Sequence, residues 1–202
     1  FALCAQADKD VRAPIIKIML HPKILDITRT ALVVIDLQEA FRSAMPEFPQ
    51  IVSRAAMAVR GFQILNVPVI VTEQYPQGLG KTAEEILFSL PDDYEPLEKT
   101  TFSSCIAPFI GKLNDLGAKQ IVLCGLETHI CVNQTAHDLL ANGFEVHLLT
   151  DAVGSRYSQD RDAGLSKMLA SGVVAATVEM SLFELMRDSK HEQFKEIQSL
   201  IK

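Results

Sequence analysis

The 202-residue sequence predicts a doubly wound α/β sandwich. Three observations carry that expectation: short, nearly all-apolar runs recur along the chain, longer helical patterns separate them, and glycines close several of those helices. Apolar runs without alternation suit strands of a parallel sheet covered on both faces. The first expected strand is residues 31–35 (ALVVI), followed by a helix over 51–65 and a strand over 68–72 (PVIVT). A weaker strand at 96–99 leads to a helix over 106–116 that stops at Gly117. Strand 120–124 (QIVLC), helix 128–141 with Gly143 beyond it, strand 145–149 (EVHLL), helix 160–170 with Gly172 beyond it, and strand 173–178 complete the alternation. No repeat or Pro/Gly-rich linker divides the chain, so one domain is expected over residues 30–202, including a C-terminal helix, with residues 1–29 as an N-terminal arm.

Composition narrows the function classes. The chain is 48% hydrophobic and 22% charged with a net charge of −6, and its basic residues do not cluster, so no nucleic-acid partner is expected. No uncharged run approaches the roughly 18 residues of a spanning helix, and no membrane partner is expected either. The four cysteines, Cys4, Cys105, Cys124 and Cys131, form no CxxC pair, and the first segment lacks the basic-then-apolar order of a secretory signal. A cytoplasmic location is the expectation.

In doubly wound sheets ligands bind outside the carboxyl ends of the strands. Asp36 ends the run ALVVID, Lys99 ends EPLEK, and Cys131 follows QIVLCGLE by one turn, so the three should converge on one sheet edge. Each alone also suits a structural role; their coincidence singles them out. With Thr128 as N-cap, Cys131 would lie near a helix start, where unpaired N–H groups favour a thiolate. Asp36, if raised in pKa by burial, would be its base, and Lys99 would keep the site near neutrality. Cys124, inside an apolar run, suits a core role. Among the histidines, His137 lies off the Cys131 face of its helix, His147 lies within a strand, and His129 could line the pocket rim; His21 and His191 have no useful placement. No HExxH, CxxC or DxH pattern supplies a metal site, and QGLGKT lacks phosphate-loop spacing, so neither metal nor cofactor is expected.

The segments VVIDLQEAF, VTEQYPQGLGKT, EKTTFSS and VLCGLETHICVNQTAHDLLANGFEVHLLTDAVGS resemble the isochorismatase-like cysteine hydrolases from about residue 30 to 180, and most resemble the isochorismatase-domain-containing subgroup. The resemblance implies a three-layer, Rossmann-like fold with a six-stranded parallel sheet and an Asp36, Lys99, Cys131 triad. It also implies a cis peptide bond between Leu126 and Glu127, turning the Glu127 N–H toward the Cys131 N–H as an oxyanion hole. Gln38 and Phe41 are expected to support Asp36 and wall the pocket, with Glu73, Tyr75 and His129 also lining it. The phrase EQYPQGLG stands where nicotinamidases carry a metal-binding DxH, which argues against metal and nicotinamide. The expected activity is cysteine-dependent cleavage of a C–N bond in a small amide through a thioester, by a homo-oligomer. The alternative is a family member with little turnover that serves as a ligand-binding or partner scaffold. A phosphoacceptor role for Asp36 lacks the neighbouring acidic pair that would hold Mg²⁺.

Overall fold

The structure is a computed structural model, described here for residues 21–202. Residues 1–20, and with them Cys4 and most of the expected arm, lie outside the described residues. The described end of the arm, from residue 21 on, is docked on the domain: Leu25 is fully buried, its N–H donates to Glu184 Oε2 at 3.1 Å, and the Asp26 N–H donates to Gln120 Oε1 at 2.7 Å.

Six strands form one all-parallel sheet: β1 (Thr30–Ile35), β2 (Val69–Gln74), β3 (Leu97–Lys99), β4 (Gln120–Leu126), β5 (Glu145–Gly154) and β6 (Val174–Ala176). Their spatial order is β3-β2-β1-β4-β5-β6. Every residue of β1 and β4 is buried, as central parallel strands require. Period-two alternation divides β1 between two cores: Leu32 and Val34 face one, and Ala31, Val33 and Ile35 face the other.

Helix α1 (Phe48–Ile64) begins with Pro49 in its first turn and buries Phe48, Ile51, Val52, Ala55, Ala58, Val59 and Phe62, the 3.6-residue spacing of one apolar face. Two short helices follow β2, α2 (Pro76–Leu79) and α3 (Glu84–Leu87). The first core is covered by α1, α7 (Val178–Met186) and α8 (Phe194–Leu200), with Ile86 of α3. The second is covered by α4 (Ala107–Asp115), α5 (Asn133–Ala141) and Met168 of α6 (Ser158–Ala170). The layers are helix, sheet, helix. Gly117, Gly143 and Gly172 all have positive φ at helix exits, the role the sequence suggested for them.

The expected helix over 128–141 is two pieces: a π-helical turn at Thr128–Val132 and then α5. A π-turn holds one residue more per turn than an α-helix, and such turns recur at functional sites. Among the described residues no helix is long and apolar enough to cross a membrane.

Candidate active site

The strand order reverses between β1 and β4, and the crevice outside the carboxyl ends of that pair is where a doubly wound sheet binds ligands. Asp36 leaves β1 with φ +50°, and its N–H donates to the Thr72 carbonyl of β2 at 3.2 Å. The side chain is almost fully buried and held on both oxygens: Thr72 Oγ1 donates to Oδ1 at 2.8 Å, and Lys99 Nζ donates to Oδ2 at 2.6 Å. Lys99 arrives on β3, which pairs with β2, and it also donates to Gln74 Oε1 at 2.9 Å and to the Thr101 and Phe102 carbonyls at 3.2 and 3.1 Å. Burial pushes the Asp36 pKa up, while the Lys99 charge and the two donors pull against it.

Cys131 enters from the other side of the switch. At Gly125, φ is +132°, and a Cβ there would lie 2.1 Å from the Ile35 carbonyl oxygen, so only glycine lets β4 run this close to the end of β1. The turn is tightly backed by α6 as well: a Cβ on Gly164 would meet the His129 backbone at 2.9 Å. Within the turn the Cys131 carbonyl accepts from Thr135 Oγ1 at 2.7 Å, and Thr135 Oγ1 in turn accepts from the Ser104 N–H at 2.9 Å. The thiol stands beside the Asp36 carboxylate. Burial, and then the Asp36 charge, push its pKa up to about 12 against the opposing pull of Lys99.

Two expectations about this turn are corrected. Thr128 is not an N-cap, since its buried hydroxyl has no partner and Glu127 holds the cap position with φ +52°. Cys131 is therefore a resting thiol rather than a dipole-stabilised thiolate, because burial and Asp36 outweigh what the turn and Lys99 supply. The second correction is that the bond between Leu126 and Glu127 is trans, no cis bond occurring among the described residues; the chain reverses through the left-handed Glu127 and the permissive Gly125 instead.

Cys131 borders a cavity of about 340 Å³ walled by Phe41, Leu79, Phe102 and Ile130, with Gln74, Glu127 and Arg156 as its main polar groups. That volume suits a small molecule. A buried acid–ammonium pair near a thiol on a small, mostly apolar cavity has the parts for nucleophilic attack on a carbonyl. The domain model for isochorismatase matches residues 30–180, which contain all of these groups.

The chain belongs to the isochorismatase domain family. It is 44% identical over 168 residues to isochorismatase domain-containing protein 1 of Salmo salar, covering 83% of this chain but 59% of that protein, so it spans less than two thirds of that relative's length. It is 42% identical over 173 residues to isochorismatase domain-containing protein 2 of Danio rerio, covering 85% and 86% of the two chains. Among solved structures, a MAR1 ribonuclease from Caenorhabditis elegans is similar at 39% identity and TM-score 0.84, over 88% of this chain and 92% of that one. An octameric hydrolase of unknown specificity, YcaC of Escherichia coli, shares the fold at TM-score 0.80 and 22% identity, over 88% and 89%.

Within this family fold the expected pocket residues separate. Phe41 lines the Cys131 cavity. Gln38 is fully buried and ties loops together, donating to the Gln74 and Gly80 carbonyls at 3.1 and 2.7 Å and accepting from the Gln74 N–H at 2.9 Å. Glu73 accepts from the Thr82 N–H and Oγ1, both at 2.7 Å, and borders a different cavity that includes Phe88 and Tyr94. Tyr75 is 54% exposed beside a third cavity. His129 sits behind Glu127, 3.0 Å from Ser155 Oγ, and does not border the Cys131 cavity. Thr72, Gln74, Phe102 and Arg156 were missed. Thr72 ends an apolar run, so the strand-end rule that found Asp36 could have found it; Arg156 could not be found that way, because β5 runs on to Gly154, five residues beyond the expected strand end.

Proposed function

We propose that the protein is a cysteine-dependent hydrolase cleaving a C–N bond of a small amide through a thioester. The observation that carries this reading is the placement of Asp36 between the Lys99 ammonium, 2.6 Å away, and the Cys131 thiol. A carboxylate raised in pKa is a stronger proton acceptor than an ordinary one, and a thiol held at about 12 needs such a base at the moment of attack.

Asp36 takes the thiol proton as sulfur adds to the amide carbonyl. The Cys131 backbone N–H is the proposed oxyanion donor, worth about 3 kcal/mol in comparable sites. Asp36 then hands the proton to the departing nitrogen, the C–N bond breaks, and amine and thioester remain. Water next loses a proton to Asp36 and attacks the thioester; the acid leaves, and Asp36 returns the proton to sulfur. Lys99 stays charged throughout and limits the change in field as the carboxyl cycles. No metal or cofactor takes part in this reading, and the three free described cysteines suit a reducing, cytoplasmic setting.

The test is release of ammonia or amine from a panel of small amides, with hydroxylamine trapping and mass spectrometry to locate an acyl group on Cys131. Turnover that persists in Cys131→Ala would exclude the mechanism.

The similarity to a ribonuclease raises RNA cleavage as a second reading. Arg156 is the only cation bordering the cavity among the described residues, most of whose wall is apolar, and the chain is acidic. Those features favour a small neutral substrate over a polyphosphate chain. Incubation with RNA should yield no fragments that a Cys131→Ala control does not.

We also propose a homo-oligomer: α7 exposes Met180 and Phe183, 48% and 38% accessible, beside Phe194. Light scattering at micromolar concentration checks this, and a monomer mass would refute it.

A further inference from the structure

Thr135 makes one hydrogen bond more than its place in a helix calls for. A threonine hydroxyl inside a helix commonly donates to the carbonyl four residues back, and Thr135 Oγ1 does so, to Cys131 at 2.7 Å. It also accepts from the Ser104 N–H at 2.9 Å, a bond across 31 residues of sequence that ties α5 to the loop between β3 and α4. The same loop is tied a second time, where the Cys105 thiol donates to the Thr135 carbonyl at 3.8 Å.

Ser104 reaches the other way as well. Its Oγ lies 3.5 Å from Thr72 Oγ1, which donates to Asp36 Oδ1 at 2.8 Å. The single Thr72 proton is committed to the carboxylate, so Ser104 is the donor in the longer contact. Thr72, Ser104 and Thr135 are each at most 1% exposed, and such bonds are stronger out of water. Asp36 follows β1 and Cys131 follows β4, and the line Asp36, Thr72, Ser104, Thr135, Cys131 joins the two through buried hydroxyls and one backbone N–H.

We propose that Thr135 is a positioning residue: its hydroxyl holds the Cys131 turn against the Ser104 loop and so keeps the thiol in register with Asp36. Groups that arrive on separate strands need such a brace, because a misplacement of about 1 Å can cost roughly a hundred-fold in rate. The charged groups that act on the thiol are Asp36, Lys99 and Glu127, and the Thr135 hydroxyl bonds to none of them. Its part is therefore distance rather than charge. Thr72 is the contrast, since it donates to the carboxylate itself. The inference deepens the hydrolase reading and rests on Cys131 as nucleophile with Asp36 as base, but thiol reactivity can be measured without turnover.

The experiment follows iodoacetamide labelling of Cys131 by mass spectrometry on the full chain, over a pH series, in wild type, Thr135→Val, Thr135→Ser and Thr72→Val. Valine keeps the shape of threonine without its hydroxyl, so Thr135→Val should slow labelling at least about ten-fold while the pH midpoint stays in place. Thr135→Ser can keep both bonds and should label at close to the wild-type rate. Thr72→Val strips a donor from the carboxylate, which favours the protonated form, and its midpoint should move to higher pH. Labelling of the fully buried Cys124 reports any unfolded fraction, and trimethylamine N-oxide restores the fold of a weakened variant without restoring the hydroxyl. A folded Thr135→Val that labels at the wild-type rate or faster, a Thr135→Ser that is equally slow, or a midpoint that Thr135→Val moves as far as Thr72→Val does overturns the inference. A wild type that turns over no amide while these labelling differences hold would sink the hydrolase reading alone, and amide turnover as fast in Thr135→Val as in wild type would sink the positioning role alone.

Discussion

Lys99 Nζ stands 2.6 Å from Asp36 Oδ2 with both side chains at most 2% exposed, so the proposed base is also half of a buried ion pair. Removing one partner of such a pair strands a charge, at a cost of about 3 to 5 kcal/mol. Lys99→Met should therefore lose both activity and stability. Cys131→Ala should lose activity by orders of magnitude and cost only about 1 kcal/mol, since it removes a small group at a cavity wall. Asp36→Asn should abolish turnover and destabilise less than Lys99→Met, because Lys99 keeps Gln74 and two backbone carbonyls as acceptors. Urea unfolding beside ammonia release separates the two effects.

Alkylation should follow the same base. Below the raised Asp36 pKa the carboxyl is protonated and cannot accept the thiol proton, so Cys131 labelling and kcat/KM should both fall with pH at a point above the ordinary carboxylate range. Iodoacetamide mapping at pH 7 should modify Cys131 ahead of Cys105, whose pKa burial pushes up to about 11, and leave the fully buried Cys124 untouched. Asp36→Asn should suppress the Cys131 adduct. Equal labelling in wild type and Asp36→Asn would remove the base from the mechanism.

A second titration bears on stability rather than turnover. His147 in β5 is 1% exposed with neither ring nitrogen bonded, and burial lowers its pKa from 6.5 to about 4, with Glu145 pulling up and Arg29 pushing down. A base with a depressed folded pKa is stabilising in its neutral form. The unfolded chain therefore binds the extra proton first, and stability is lost as pH falls from 6.5 toward 4, by about 3 kcal/mol. His147→Leu should flatten that slope in denaturant titrations at pH 7, 5.5 and 4.5. An unchanged slope would place the acid lability elsewhere.

Chelation should leave turnover intact. Among the described residues no group of three or more His, Cys, Asp or Glu side chains could hold a metal ion, and Gln74, in the phrase where a metal-binding relative would carry ligands, is occupied by Lys99 and the Thr100 carbonyl. Activity lost on dialysis against EDTA and restored by Zn²⁺ would contradict this.

The sheet was readable because central parallel strands cannot hide polar residues: ALVVI and QIVLC admit no other burial, and their last positions then mark the ligand edge. Even the three-residue β3 could be placed, through the lysine at its end. The turn carrying Cys131 was not readable. A π-turn has no apolar period of its own in five residues, and Thr128 looked like a cap because its hydroxyl could have served as one; the tight Gly125 and Gly164 contacts decide otherwise. Charge balance was equally hidden. Whether Cys131 rests as thiol or thiolate depends on how much burial and Asp36 outweigh Lys99, which is a property of distances rather than of spacing. Gln38, Glu73 and His129 were expected in the pocket as polar residues in the right phrases, and each spends its hydrogen bonds on its neighbours instead.

The pairing of β1 with β4 has a meaning for the newborn chain. Asp36 and Lys99 belong to the half of the sheet made first, and Cys131 follows β4, which inserts beside β1 only after the intervening strands and helices have been synthesised. At ribosomal rates of about 5 to 20 residues per second, the interval between Asp36 and Cys131 lasts several seconds. During that time Asp36, the proposed proton acceptor, exists and Cys131 does not. A chain stalled before β4 carries no partner for the base, and one that fails to dock β4 against β1 leaves Cys131 without its proton acceptor. The proposed catalytic set is thus completed only when β4 docks against β1 at the centre of the sheet.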